Sequence, residues 1–174
     1  MQYSKAPDLH QKFDIKNMNK TKKNNFMSKA LKQATLALKY NEVPIGAVVI
    51  DAEGLVIGRG YNKIETNQSQ LAHAEVRAIA QACRKIESWR LIGCIIYVTL
   101  EPCLMCLGLI KLSRLKGVVY GAKSHLFGAF TCDSENLSFY TKGLSIEGGV
   151  KEQESIDLLQ AFFKQVRKMR RVKP

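Results

Sequence analysis

The stretch "YVTLEPCLMC", residues 97–106, contains the transition on which the fold and the chemistry depend. A β-branched run ends at Leu100, and Cys103 and Cys106 follow in the spacing C-x-x-C. The run is typical of a buried strand, and residues 103–113 are typical of a short apolar helix. Two thiols one turn apart at the start of a helix favour the thiolate form. The pair is therefore compatible with a disulfide, a metal site or a nucleophile, and the rest of the chain must decide.

Around this stretch, helical and strand patterns alternate. Apolar or β-branched runs predict five strands, within residues 42–50, 55–62, 93–100, 116–122 and 144–150. Apolar residues at helical spacing predict four helices, within residues 26–40, 72–86, 103–113 and 151–172. Residues 63–70 form a polar loop, and the long irregular stretch 123–143 has the length of a functional loop.

This order of elements predicts an α/β fold with three layers, α/β/α, around a central mixed sheet of about five strands. The β-α-β units in the middle of the chain require parallel pairing with right-handed crossovers. Ligands of such sheets bind at the carboxyl ends of the strands. We expect the helices that start near His73 and Cys103 to begin at that edge.

The composition fits one domain without a membrane span. The chain has 174 residues, and its longest apolar runs are far too short to cross a bilayer. The N-terminus lacks the apolar core of a signal peptide, so we expect a cytoplasmic protein. Five cysteines in such a protein favour free thiols or metal ligands over a disulfide framework.

The net charge of +12 is concentrated at the two ends. Residues 1–32 contain eight lysines and two acidic residues, and residues 164–174 contain six basic residues and no acidic one. Such ends form either solvated tails or a surface for a polyanion. We predict a polar extension at residues 1–24, partly disordered, and a catalytic domain at 25–174 with a basic C-terminal helix.

A third residue decides how the two cysteines are interpreted. His73 begins a helix in the sequence "HAE", and one histidine with two cysteines is the ligand composition of a catalytic zinc site with an open position for water. Such a zinc lowers the pKa of the water to about 7. Glu75 is placed to move protons there. The pattern H-x-E followed by P-C-x-x-C is the signature of the zinc nucleobase deaminases.

The chain resembles the bacterial tRNA adenosine deaminases, within the cytidine/deoxycytidylate deaminase superfamily, over about residues 27–170. The resemblance is densest in "EVPIGAVV", "GYN", "AHAE", "RLIGCIIYVTLEPCLMC" and "SRLKGVVYGAK". It implies a cytidine deaminase-like fold, one Zn²⁺ with a bound water in each subunit of a homodimer, and hydrolysis of adenosine to inosine at the first anticodon position of tRNA.

The resemblance also implies roles for individual residues. His73, Cys103 and Cys106 correspond to the zinc ligands and Glu75 to the proton shuttle. Asn62 corresponds to a residue that contacts the bound nucleoside. The anticodon stem-loop of tRNA is the implied partner.

The chain departs from this family next to the motifs. The family usually has Asp-Pro-Thr where this chain has Ser-Gln-Leu at 69–71, and Arg-Asp where this chain has Lys-Ser at 123–124. These positions lie where the family binds its anticodon loop. Two alternatives therefore stay open: a deaminase of a free base or nucleotide (cytosine, guanine or deoxycytidylate), and a non-catalytic RNA-binding protein that keeps zinc for structure.

Overall fold

The computed structural model describes residues 15–132 and 137–172, with the side chains of 170–172 left out. The prediction that the chain is disordered at its start falls largely on residues 1–14, outside the described part. The helices are α1 (Lys20–Leu38), α2 (Ile64–Asn67), α3 (Ala74–Lys85), α4 (Leu104–Leu112), α5 (Ala129–Cys132), α6 (Ser138–Thr141) and α7 (Glu152–Val172). The strands are β1 (Gly46–Ile50), β2 (Val56–Tyr61), β3 (Ile95–Leu100), β4 (Gly117–Ala122) and β5 (Ser145–Glu147).

The five strands form one mixed sheet in the order β2-β1-β3-β4-β5. Strand β1 is antiparallel to both of its neighbours, whereas β3, β4 and β5 are parallel. This confirms the predicted mixed sheet of about five strands. The carboxyl ends of β3 and β4 lie at one edge, and α4 begins just beyond the end of β3.

Helices cover both faces of the sheet, as predicted. Strand residues alternate between the two cores: Ile96 and Val98 of β3 pack with α3 and α4, whereas Ile95 and Tyr97 pack with α1. Helix α7 lies on the α1 face, where buried Ser155 approaches Gly121 of β4. Alternation of this kind follows from the two-residue period of a strand.

Helix α3 lies unusually close to strand β2 because two glycines of β2 face it. A side chain at Gly58 or Gly60 would overlap the α3 backbone at Ala78 or Ala74. The glycines therefore fix the position of the N-terminus of α3, which holds His73 and Glu75.

Residues 15–24 belong to the fold, so the extension predicted to end at residue 24 does not end there. Ile15 and Met18 are buried, and the hydroxyl of Tyr97 donates to the Met18 sulphur at 3.2 Å. Helix α1 begins six residues before the predicted start, because the Asn19 side chain caps it. No helix in the described ranges is long and apolar enough to span a membrane.

Candidate active site

Two helix starts bring the three predicted metal ligands together. His73 is the N-cap residue of α3 and Cys103 that of α4, with Cys106 in the first turn of α4. The His73 Nδ1 atom lies 3.9 Å from the Cys103 sulphur and 3.5 Å from the Cys106 sulphur. The three ligand atoms all lie within 4.8 Å of one another. The predicted proximity of the motifs is therefore present in the structure.

A hydrogen bond between the two thiols shifts their pKa values in opposite directions. The hydrogen bond with Cys106, assisted by His73, lowers the pKa of Cys103 to about 4. The same bond and burial raise the pKa of Cys106. One thiolate is thus already favoured, and a cation placed among the three groups would favour the second.

The carboxyl group of Glu75 lies at the floor of this cluster. Only 4% of the residue is exposed. Burial raises the pKa of Glu75, while the neighbouring charge of His73 opposes the shift. A raised pKa makes a carboxylate a stronger proton acceptor, which suits a general acid–base residue.

Asn62 is buried at the entrance to α3. Its Oδ1 atom accepts a hydrogen bond from the backbone N–H of Ala74 at 2.9 Å. This bond occupies the acceptor end of the carboxamide and orients its NH₂ group. Asn62 therefore connects strand β2 with the helix start that holds His73.

Gln70 is a neighbour of the site whose role the sequence did not reveal. Its Oε1 atom lies 3.2 Å from the Nε2 atom of His73. An Nε2–H that donates to Gln70 leaves Nδ1, the nitrogen facing the thiols, without a proton and free to bind a metal. The sequence marks the position but not the contact: Gln70 stands where the resembled family usually has proline.

A second unrecognised residue, Glu42, holds the loop that precedes His73. Its buried carboxylate accepts hydrogen bonds from the backbone of Glu65 and from both the backbone and the hydroxyl of Thr66. Although burial favours the protonated form, these bonds lower the pKa of Glu42. Nothing local in the sequence links residue 42 to residues 65 and 66.

Glu101 lies two residues before Cys103 in the sequence, where we expect a structural carboxylate, and in the structure it anchors the loop on the other side of the site. It accepts hydrogen bonds from the backbone of Ser124 and from the backbone and hydroxyl of Thr131, at 2.6–3.0 Å. A side chain at Gly128 would overlap this carboxylate. The loop therefore closes directly over Glu101.

Exposed apolar side chains surround the site. Leu126 and Phe127 are 80% and 73% exposed. With Leu104 and Met105 they line a cleft of about 290 Å³ next to Cys103. Phe127 is the aromatic member of this group, and an exposed aromatic ring can stack a base.

Several side chains expected in the core are exposed instead. Cysteines without a partner in the motif are by default expected to be buried core thiols. Cys94 is buried, but Cys83 is only half-buried and Cys132 is exposed. Trp89 and Phe163, whose apolar patterns favour packing inside, are 51% and 42% exposed. A local apolar pattern does not show whether another element covers the side chain, which is why these positions could not be assigned from sequence.

Comparison with known proteins agrees with this geometry. Residues 21–167 match the family described as MafB19-like deaminase. A tRNA-specific adenosine deaminase of Rickettsia bellii (strain RML369-C) is 42% identical over 147 residues, covering 81% of this chain and 99% of that protein. The corresponding protein of Bacillus subtilis (strain 168) is 39% identical over 151 residues, covering 84% and 91%.

A solved structure gives the same answer for the fold. It comes from work on A-to-I editing by tRNA:A34 deaminases at the wobble position of transfer RNA. It is 36% identical, has a TM-score of 0.70, and covers 78% of this chain and 99% of its own. The chain therefore belongs to the MafB19-like deaminase family and, within it, to the family of the tRNA-specific adenosine deaminases.

Proposed function

We propose that this protein is an enzyme that hydrolyses adenosine to inosine at the first anticodon position of tRNA. The observation that supports this most strongly is the buried Glu75 beside the cluster of His73, Cys103 and Cys106, in a chain similar to tRNA-specific adenosine deaminases over four fifths of its length. Zinc does not need Glu75, so a purely structural metal site leaves this residue unexplained. A tRNA substrate would place the reaction in the cytoplasm.

The donor set fits zinc. Tetrahedral zinc with thiolate and imidazole ligands places sulphur and nitrogen about 3.6 Å apart, and the two S···N distances here are 3.5 and 3.9 Å. His73, Cys103 and Cys106 would hold the ion and leave one position open. A zinc bound there would act as a Lewis acid that activates water at neutral pH.

The protein's own part in the reaction is proton transfer by Glu75. Its carboxylate would accept a proton from the attacking water as a C6–O bond forms on the adenine ring. The carboxyl would give that proton to the ring nitrogen and would then carry the proton of the new C6–OH group to the amine, so that C6=O forms, the C6–N bond breaks and ammonia departs. Asn62, oriented by Ala74, would contact the nucleoside through its free NH₂ group.

The basic end of helix α7 supports a polyanionic partner. Lys164, Arg167 and Lys168 are exposed, and the described part of α7 beyond Ser155 has no fully buried residue. This leaves a cationic helix free to contact the anticodon stem-loop.

We also propose that the enzyme acts as a homodimer. A groove of about 740 Å³ runs between α3 and α4, lined mainly by apolar side chains, and Trp89, Leu112 and Phe139 at its border are exposed. A patch of this kind favours burial against another surface. Sedimentation of Leu112→Glu should give a monomer where the wild type gives a dimer. A monomeric wild type would refute this proposal.

The reaction is tested by incubating the protein with a tRNA that has adenosine at the first anticodon position and sequencing it for inosine. We expect conversion of that one adenosine, and about 10²–10⁴-fold slower conversion by Glu75→Gln, because general acid–base catalysis contributes this much. Glu75→Gln should keep its zinc content and RNA affinity. Full activity of Glu75→Gln would refute the mechanism.

A further inference from the structure

Two tyrosines from separate elements stack beside the site. Tyr40 follows helix α1, and Tyr61 ends strand β2. Their ring centroids are 6.0 Å apart, and the ring planes are inclined by only 14°. Tyr40 is 47% exposed, so the pair lies at the surface.

Two cations lie on these rings. The Lys63 Nζ atom is 4.2 Å from the centroid of Tyr40, and the Arg77 guanidinium is 5.0 Å from the centroid of Tyr61. Contacts of this kind hold a cation in place by attraction to the ring face. We call these four residues, Tyr40, Tyr61, Lys63 and Arg77, the cationic platform.

The cationic platform has no anion of its own. The ion pairs among the described residues are Lys23–Glu147 and Lys151–Glu154, and neither involves Lys63 or Arg77. The Nε atom of Arg77 is buried and has no hydrogen-bond acceptor among the described residues. Among the described residues, no carboxylate therefore forms an ion pair with Lys63 or Arg77.

The platform is fixed directly to the candidate active site. Tyr61 precedes Asn62, and the backbone N–H of Lys63 donates to the carbonyl of Ala72 at 3.0 Å. The backbone N–H of Arg77 donates to the carbonyl of His73 at 3.1 Å, which places Arg77 one helical turn beyond that ligand. An RNA strand with its target base near His73 would therefore pass the platform within a few nucleotides of that base.

We propose that the cationic platform binds the phosphodiester backbone of the RNA strand next to the target nucleotide, with the exposed ring of Tyr40 available for stacking a base. This inference rests on the proposed function. The planar guanidinium of Arg77 and the mobile ammonium of Lys63 are both donors suited to phosphate oxygens. Single-stranded RNA carries both of the groups that the platform could bind, a phosphate anion and the face of a base.

The test measures RNA affinity against salt in the Glu75→Gln protein, which should bind its substrate and convert it too slowly to disturb the measurement. The probe is a fluorescent single-stranded RNA of the anticodon-loop sequence. Each single-strand phosphate contact contributes about 0.7 to the slope of log K against log[salt]. We expect Lys63→Met and Arg77→Met each to reduce the slope by about 0.7, and the double variant by about 1.4.

Matched variants separate this role from a structural one. Lys29 also lies over an aromatic ring, at 5.3 Å from the centroid of Phe26, but on helix α1 away from the site. Lys29→Met should leave the slope unchanged, and Lys63→Arg should restore it. Zinc content and the thermal midpoint show whether each variant folds. If Arg77→Met fails to fold, the slope of Lys63→Met alone tests the proposal.

The outcomes distinguish the two proposals. Suppose that the wild type forms inosine, and that Lys63→Met and Arg77→Met both keep the salt slope of the Glu75→Gln protein without them. The platform proposal is then wrong and the proposed function stands. If the wild type forms no inosine in any tRNA but the slopes fall as predicted, the platform binds RNA and the proposed function is wrong. Equal slope changes in Lys29→Met would also overturn the platform, because the effect would then be one of net charge.

Discussion

The floor and the rim of the site are built differently. The floor, His73, Glu75, Cys103 and Cys106, lies at two helix starts that are packed against the sheet, and Glu75 and Cys106 are buried. The rim, residues 69–71 and 123–132, consists of loops and short helical turns with exposed apolar tips, and hydrogen bonds to the Glu101 side chain hold its second segment. We propose that the packed floor determines the reaction and that the rim determines the choice of substrate.

The largest effect should come from removing one ligand of the floor. Cys106→Ala leaves two zinc ligands, so we expect loss of bound zinc and of all measurable deamination, since a zinc site of this type needs three protein ligands. Metal analysis and ammonia release measure both. Cys132→Ser, on the rim, is the matched control and should keep zinc and activity. Loss of zinc in both variants would contradict the separation of floor and rim.

An intermediate effect should come from the rim anchor. Glu101→Gln replaces one acceptor oxygen by an NH₂ group that faces backbone donors, so at least one of its hydrogen bonds is lost. We expect a decrease of about 1–3 kcal/mol in the free energy of unfolding, because a buried donor is left without a partner. Denaturant titration measures this change. Zinc content should stay unchanged, and hydrogen exchange should become faster at residues 123–131. Faster exchange at the start of α4 instead would show that floor and rim are not separate.

The smallest effect should come from the residue that joins the two regions. Gln70→Asn shortens the side chain that reaches Nε2 of His73. We expect zinc affinity to decrease about tenfold, the lower end of what outer partners of a ligating histidine contribute. Competition with a chelator measures this affinity. Gln68→Asn, two residues away, changes a side chain that donates to the Glu65 carbonyl and should have no effect on zinc affinity.

The floor could be predicted from the sequence because its geometry is local. His73 and Glu75 share one helix turn, Cys103 and Cys106 share another, and the β-α-β order brings both helix starts to one edge. Their roles as ligands and proton shuttle remain predictions until metal and activity are measured.

The remaining features depend on contacts between distant residues. The hydrogen bond from Tyr97 to Met18 draws residues 15–24 into the fold, and no periodicity in that polar segment indicates it. Glu42 reaches Thr66 across 24 positions, and the stack of Tyr40 on Tyr61 joins two elements 21 positions apart. A sequence pattern reports the face of one element, not the partner that covers it.

The most direct test of the account compares substrates in one assay. The zinc-loaded protein would be incubated in parallel with an anticodon stem-loop that has adenosine at its first anticodon position and with free adenosine, adenine, guanine, cytosine and deoxycytidylate, and ammonia release would be measured. We predict ammonia from the stem-loop only, one molecule for each strand. Release from a free base or nucleotide, with none from the stem-loop, would contradict the account.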